Sequence, residues 1–327
     1  MGRCLRGAIP AAPNPCGATW LSVVSASDLS SLNPERLGFT VSIQTSIQAN
    51  VASYPPSMKR VAAAILGRPQ CVLEKTISEL ARSCATSETS IVRFCRTLGF
   101  TGFPALKLQM AAELATEAAQ FGSEAGHGAD IRPTDTLADT VSKIARSEIL
   151  GIQETAANLD AVALEQIISR LGRAGRIVLY GVGASNTGAQ DLTQKLLRIG
   201  CAAFGFHDAH NALASAALLG PDDVAIAFSH SGRTREVVEL LHAARRGGAF
   251  TVAITNVGKS PVTEHADKVL RTAVRETTFR SGAMASRIAQ LTIVDYIFVG
   301  VVRGNYKESV QALKSTYESV GALRDDH

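Results

Sequence analysis

The sequence predicts a small α-helical domain followed by an α/β domain, in which a parallel sheet carries helices on both faces in three layers. Three observations predict it. Helical hydrophobic periods alone occupy the chain from about residue 39 to 115, whereas short apolar runs alternate with helical patterns after about residue 136. The runs VLY and AIAF are continuous rather than alternating, as in strands buried on both faces. The 327 residues exceed one domain of about 100–200, and a 46% hydrophobic share with 5% aromatics supplies aliphatic cores.

In chain order, residues 1–38 are rich in Pro, Ser, Gly and Ala without a sustained period, and are expected to be a disordered leader or a start codon placed too early. The run from Ala18 to Ala26 faintly has the outline of an export signal, but Pro10, Pro13 and Pro15 and the hydroxyls Thr19, Ser22 and Ser25 break it up. Residues 39–115 read as helices, 116–136 as a Gly/Ala/polar linker containing Pro133, 137–310 as the α/β domain and 311–327 as a C-terminal tail. Strands are expected at 176–183, 202–206, 223–229, 250–255 and 268–273, with helices at 187–199, 209–219, 235–247 and 283–302.

Several classes are excluded or disfavoured. No uninterrupted apolar run reaches the ~18–20 residues of a membrane span. Cys4, Cys16, Cys71, Cys84, Cys95 and Cys201 form no CxxC pair and no metal-ligand spacing with the histidines, so the expectation is reduced, mostly buried thiols in a cytoplasmic protein with no metal and no cofactor. The net charge of +4 is too mild to imply nucleic acid by itself.

Its placement is more telling. Residues 51–110 hold eight basic side chains against three acidic ones. Within them, Ile77, Leu80, Ala81 and Cys84 mark one face of a short helix, and Ala85 to Ser87 form a tight connection. Ser87 is placed to cap a second helix whose buried stripe is Ile91, Phe94, Cys95 and Leu98, ended by Gly99. This is a helix-turn-helix pattern. Its second helix would expose Glu88, Thr89, Val92, Arg93 and Arg96, with Ser87 and Ser90 at its start, a set suited to phosphates and base edges of double-stranded DNA. The competing reading is a solvated face on a helical bundle used for dimerisation. The run SIVRFCRTLGFTGF, within a match from about 40 to 114, closely resembles the N-terminal domain of RpiR/MurR-type bacterial transcriptional regulators, with Ser90 where threonine is more usual. The resemblance favours DNA binding.

Two loops stand out in the second region. YGVGASNTGAQ is a strand, a glycine loop and a helix start, in which Gly181 and Gly183 admit a close backbone approach and Ser185 and Asn186 are candidate ligand contacts. The spacing of Gly181, Gly183 and Gly188 is GxGxxxxG rather than the dinucleotide GxGxxG, and no acidic residue ends the next strand, which argues against NAD. AIAFSHSGRTRE is a second strand–loop–helix unit. One hydroxyl suffices to cap a helix, whereas Ser229, Ser231 and Thr234 around Gly232 suit a phosphate monoester held by hydroxyls and backbone N–H groups without a metal. Both loops leave carboxyl ends of strands, where such sheets bind ligands.

These loops, within residues 140 to 305, also resemble the sugar isomerase (SIS) domain, and ETTFRSGAMASRIAQLTIVDYIF resembles its ending in the RpiR/MurR group. The resemblance implies that Ser185, Ser229, Ser231 and Thr234 bind the phosphate of a phosphosugar, and that Glu276 and Ser281 reach the sugar or a partner subunit. SIS domains occur in isomerases, lyases and regulators. An isomerase needs a base near the substrate carbon, for which Glu276, His207, His210 and His230 are candidates. A fused helix-turn-helix instead points to a transcription factor, paired as a homodimer or homotetramer on an operator, whose DNA affinity a phosphosugar effector sets. The alternatives are a phosphosugar isomerase or lyase with an accessory helical domain, and a scaffold that binds a protein partner through its helices.

Overall fold

A single parallel sheet organises the second half of the chain. Its strands are β1 (Ile177–Gly181), β2 (Ala203–Gly205), β3 (Val224–Phe228), β4 (Phe250–Asn256) and β5 (Lys268–Thr272), in the order β2-β1-β3-β4-β5. The structure is a computed structural model that describes residues 41–121, 131–275 and 283–321. The predicted leader, 1–38, and both Glu276 and Ser281 lie outside the described residues.

Among the described residues, the helical first half holds α1 (Ile43–Asn50), α2 (Pro56–Gly67), α3 (Cys71–Glu74), α4 (Ile77–Ser83), α5 (Glu88–Thr97) and α6 (Phe103–Phe121). Then come α7 (Leu137–Ala157) and α8 (Ala161–Leu171), and α9 (Ala184–Arg198), α10 (Ala209–Ala216) and α11 (Arg235–Arg246) follow β1, β2 and β3. Finally α12 (Met284–Gly304) and α13 (Tyr306–Gly321) follow β5.

Strands β1, β3 and β4 alternate between two cores. Ile177, Leu179, Ile226, Phe228, Val252 and Ile254 face α8, α9 and α12, while Val178, Tyr180, Ala225, Ala227 and Ala253 face α10 and α11. All five residues of β1 and of β3 are buried, so the continuous apolar runs reflect a sheet covered on both sides. α12 is long and apolar enough to cross a membrane, but Ile293, Val294, Ile297 and Val301 pack it into the first of these cores.

The helical region has its own core around Ile47, Val61, Ile65, Leu80, Ile91, Phe94, Leu106 and Met110. Each such fully buried aliphatic or aromatic side chain contributes about 1.5–3 kcal/mol. Cys71, Cys84 and Cys95 are buried free thiols here, and burial pushes the Cys95 thiol up to about 11.

Two expected boundaries move. The linker was placed from 116, yet α6 continues to Phe121, because its alanine-rich end keeps high helix propensity. The expected tail is helical to Gly321 in α13.

The helical region meets the α/β domain through buried charge. Ser42 caps α1 through its side chain, while its backbone N–H donates to Glu154 Oε2 of α7 at 3.2 Å. Ile43 N donates to both oxygens of Glu113 from α6, at 3.0 and 3.2 Å. One helical turn on, Glu117 pairs with Arg146 and with Arg275, the latter at 3.2 Å. Burial pushes the Glu113 carboxyl up to about 7, and the nearby charge of Glu154 adds to the shift.

A carboxyl whose folded pKa is raised favours the fold below its unfolded value, and that contribution is lost as pH rises through the folded pKa. For Glu113 the window runs from about 4.5 to about 7. Glu113→Gln, which mimics the neutral form, is expected to raise Tm by about 2–4 °C at pH 8 and to match the parent at pH 5. Thermal unfolding across that range checks it, and an equal difference at both pH values would contradict it.

Candidate functional site

The strand order reverses direction between β1 and β3, where doubly wound sheets bind ligands outside the carboxyl ends. Between the loops leaving these strands lies a cavity of about 170 Å³. One wall holds Ser185, Ser229, His230, Ser231 and Thr234, and the other holds Ala283, Ser286, Arg287 and Gln290 from the start of α12.

Three helices begin at this cavity. Gly183, Thr234 and Ala283 are the N-cap residues of α9, α11 and α12, and no side chain caps any of the three. Their first-turn N–H groups and helix dipoles therefore favour an anion from three directions. Thr234 sits at the cap position of α11, yet its hydroxyl lies 3.2 Å from Ser229 Oγ instead. The three hydroxyls are thus not explained by helix capping. Ser229 Oγ accepts from Gly232 N at 3.1 Å, and Ser231 Oγ accepts from Arg233 N at 3.3 Å. Ser185 Oγ accepts from Gln290 Nε2 at 3.3 Å, which joins the two walls. Arg287 is half-buried, and among the described residues its guanidinium has no carboxylate in ion-pair range. A half-buried cation facing a hydroxyl-lined cavity is suited to a dianion.

The second candidate surface is the helix-turn-helix of α4 and α5. A full capping box closes the start of α4, formed by Thr76 and Glu79. Ala85 adopts φ +48° in the elbow, where Arg60 of α2 donates to the carbonyls of Cys84 and Ala85 at 2.9 and 2.7 Å. In α5, Ile91, Phe94 and Cys95 are buried, and Thr89, Arg93 and Arg96 are exposed.

Comparison with known proteins agrees with this architecture. Residues 41–117 match the helix-turn-helix domain of the rpiR family, and residues 170–300 match the SIS domain. An uncharacterized HTH-type transcriptional regulator of Caldanaerobacter subterraneus subsp. tengcongensis is 39% identical over 82% of this chain and 93% of its own length. The chain belongs to the RpiR family of helix-turn-helix transcriptional regulators. The uncharacterized regulator YbbH of Bacillus subtilis is 34% identical over 85% of this chain and 96% of its own. Among solved structures, the Vibrio vulnificus NanR protein complexed with ManNAc-6P has a TM-score of 0.54 and 29% identity, covering 86% of this chain and 99% of that one.

For this RpiR-family chain, the structure brings together only part of the residue set expected from sequence. Ser185, Ser229, Ser231 and Thr234 share the cavity. Asn186 does not line it; its side-chain amide lies 3.3 Å from His207 Nδ1. His207 and His210, two of the candidate bases, are exposed and do not line the cavity, and Asp208 between them caps α10. Gly181 and Gly232 act in packing, whereas a Cβ on Gly183 would meet nothing within 4 Å. A Cβ on Gly181 would lie 2.8 Å from the Ser185 backbone, so this glycine lets α9 close onto β1. Gly183 has φ +60° and Gly232 φ +62°. A Cβ on Gly232 would lie 2.2 Å from Ser260 Oγ, so this glycine seats the loop on its neighbour.

In α5, Ser87 caps the helix by accepting from Ser90 N at 3.2 Å, and Glu88 accepts from Ser78 Oγ across the elbow. These three hold the motif's shape; Ser87 and Glu88 are nonetheless exposed together with Thr89, Arg93 and Arg96, while Ser90 and Val92 are half-buried. Two of the basic residues counted toward a DNA footprint serve internal contacts: Arg60 at the elbow and Arg68 in an ion pair with Glu74.

The sequence reading missed Ser286, Arg287 and Gln290. A signal existed: Ser286 and Gln290 are polar, four residues apart on one face of a mainly apolar helix, and both are buried. The Gly232 geometry is testable. Gly232→Ala combines positive φ with overlap against Ser260 and is expected to cost about 1–3 kcal/mol, seen as a lower Tm. An unchanged Tm would contradict the geometry.

Proposed function

We propose that this regulator binds an operator through α5 and that a phosphosugar in the cavity between β1 and β3 sets its DNA affinity. The observation that carries the effector reading is Arg287, unpaired among the described residues, facing a cavity on which three uncapped helix N-termini converge. Ser185, Ser229, Ser231 and Thr234 would donate to the phosphate oxygens, with Arg287 as counter-charge. Gln290 and His230 line the same space and are placed to meet the sugar hydroxyls. The NanR structure, which holds ManNAc-6P in a related chain, supports a phosphosugar over other anions.

A sensor fits better than an isomerase. Among the described residues lining the cavity, His230 and Arg287 are the titratable ones, and aldose–ketose isomerisation needs a base and a separate proton donor at the substrate. Thr89, Arg93 and Arg96 would make the DNA contacts, with the N-terminus of α5 toward the major groove. The working form would be a cytoplasmic homodimer on a two-fold operator. Exposed Leu137, Val141 and Ile149 on α7 support an association face of that kind.

Mobility shifts on DNA upstream of the gene and its neighbours, with and without a phosphosugar panel, test the whole reading. The absence of any sequence-specific shift would sink it. Arg93→Ala is expected to weaken DNA binding by about 1–3 kcal/mol and to leave sugar binding intact. Arg287→Ala is expected to weaken phosphosugar binding at least about tenfold, from a lost charged hydrogen bond of about 1.5–3 kcal/mol, with DNA affinity in the absence of sugar unchanged. Titration calorimetry and the same shifts separate the two effects. Turnover of a phosphosugar by the purified protein would favour an enzyme instead.

A further inference from the structure

Helix α1 belongs to the stretch matched by the helix-turn-helix domain, yet it touches the α/β domain at both ends. At its start, the Ser42 N–H donates to Glu154, which is 5% exposed on α7. At its end, the Ala49 carbonyl lies against Gly258, where a Cβ would come within 3.0 Å of the oxygen.

Each end leads to a different wall of the cavity. Gly258 lies in the loop after β4, two residues before Ser260, which packs beneath Gly232 of the serine loop. The same segment is tied to the serine loop by Asn256 N donating to His230 O at 3.1 Å and Val262 N donating to Gly232 O at 3.0 Å. Arg271 fixes it from below by donating to the Gly258 carbonyl at 2.8 Å. On the other side, α7 carries Gly151, which faces Val274 and the Ala285 carbonyl at the start of α12. Thr155, beside Glu154 on α7, accepts from Ala273 N at 3.0 Å. Residues 286, 287 and 290 of that α12 form the second wall. From α1 the contacts continue outward: Ile47 shares a core with Val61 and Ile65 of α2, and Arg60 of α2 holds the elbow carbonyls between α4 and α5.

We propose that α1 is the coupling element of this regulator, a short rod clamped between the two cavity walls that converts a change in their separation into a tilt of α2 and the helix-turn-helix elbow. The proposal rests on the cavity being the effector site. A ligand that bridges the serine loop and α12 draws both anchors of α1 at once, whereas a ligand held by one wall moves one end. Packed elements of this kind shift as units rather than deform gradually, and allosteric couplings typically amount to about 5–150-fold in affinity.

The test uses the full chain and amide hydrogen exchange with inorganic phosphate, glucose 6-phosphate and ManNAc-6P as probes, together with DNA affinity by mobility shift. In the parent protein, a bound phosphosugar is expected to protect residues 229–234 and to change exchange within Ile43–Asn50 and DNA affinity at least about fivefold. Glu154→Leu and Gly258→Ala are expected to keep the protection at 229–234 and to lose most of the response in α1 and in DNA affinity. Glu154→Leu removes the acceptor of the Ser42 N–H and approximates the side-chain volume in a buried site, so the test survives if the strained Gly258→Ala chain fails to fold. Protection at 229–234 with α1 unmoved in the parent, or a full DNA response in Glu154→Leu, overturns the coupling role. If no probe protects 229–234, the effector reading of the cavity fails, and the coupling role with it.

Discussion

The structure depends on keeping three helix N-termini open toward one point. A parallel sheet makes this possible, because every strand that ends at one edge is followed by a helix that begins there. In β1 and β3 the requirement is met by small residues: Gly181 allows α9 to close onto its strand, and Gly232 allows the serine loop to sit on Ser260. α12 supplies the third terminus although it follows the edge strand β5, because it crosses back to pack on α9 and α8 through Ile293, Ile297 and Val301. The opposite edge of the sheet is fastened differently. Arg176 holds Asp223 through two hydrogen bonds, joining the starts of β1 and β3 away from the cavity. Rigidity at one edge permits the other to be built from loops and free helix ends.

Much of this was legible because it is periodic. All five strands and the four helices α9 to α12 follow from runs such as VLY and AIAF and from the 3.6-residue stripes between them, whereas α7, α8 and α13 were not placed from sequence. The elbow was legible from Ser87, Ile91, Phe94 and Cys95, which combine a cap with a buried face. The serine loop was legible because Ser229, Ser231 and Thr234 outnumber the hydroxyls a helix start requires. What was not legible depends on three-dimensional partners. Arg287 lies more than fifty residues beyond the serine loop, and nothing local to it reveals that α12 returns to the mouth of β1. Glu88 and Arg60 read as surface charges in sequence, and only the fold shows them bracing the elbow. Gly181 and Gly232 were rightly singled out as unusual, and the space a Cβ would need at each is occupied by Ser185 and Ser260.

The junction of the two domains shows what a regulator gives up in stability. Glu113, Glu117 and Glu154 cluster with Arg146 and Arg275, and the charges do not balance within the cluster. An apolar interface of the same size would hold the domains together more firmly, since buried ion pairs rarely outperform well-packed hydrophobic side chains. It would also tolerate many relative positions. Charged hydrogen bonds to two successive N–H groups at the start of α1 fix its position in a way that greasy contact does not. Burial raises the pKa of both Glu113 and Glu154, so their anionic forms are maintained at a cost that any displacement of α1 would change.

Backbone strain marks the same functional points. Among the described residues, Ala85 and Ala283 are the two non-glycine residues with positive φ, at +48° and +43°. Left-handed geometry at an alanine costs about 1–2 kcal/mol, which glycine would largely avoid. Ala85 forms the helix-turn-helix elbow, and Ala283 begins α12 at the wall of the cavity. Neither strain is local accident, because each is held by contacts from elsewhere: Arg60 on the elbow carbonyls, and Ala285 beside Ala283 packed with Val274 and Ala289. Alanine in place of glycine narrows the backbone freedom at each turn, so the helix that follows leaves in one direction. A stiff strained turn transmits displacement that a flexible one would absorb, as the coupling proposed between α12 and α5 requires.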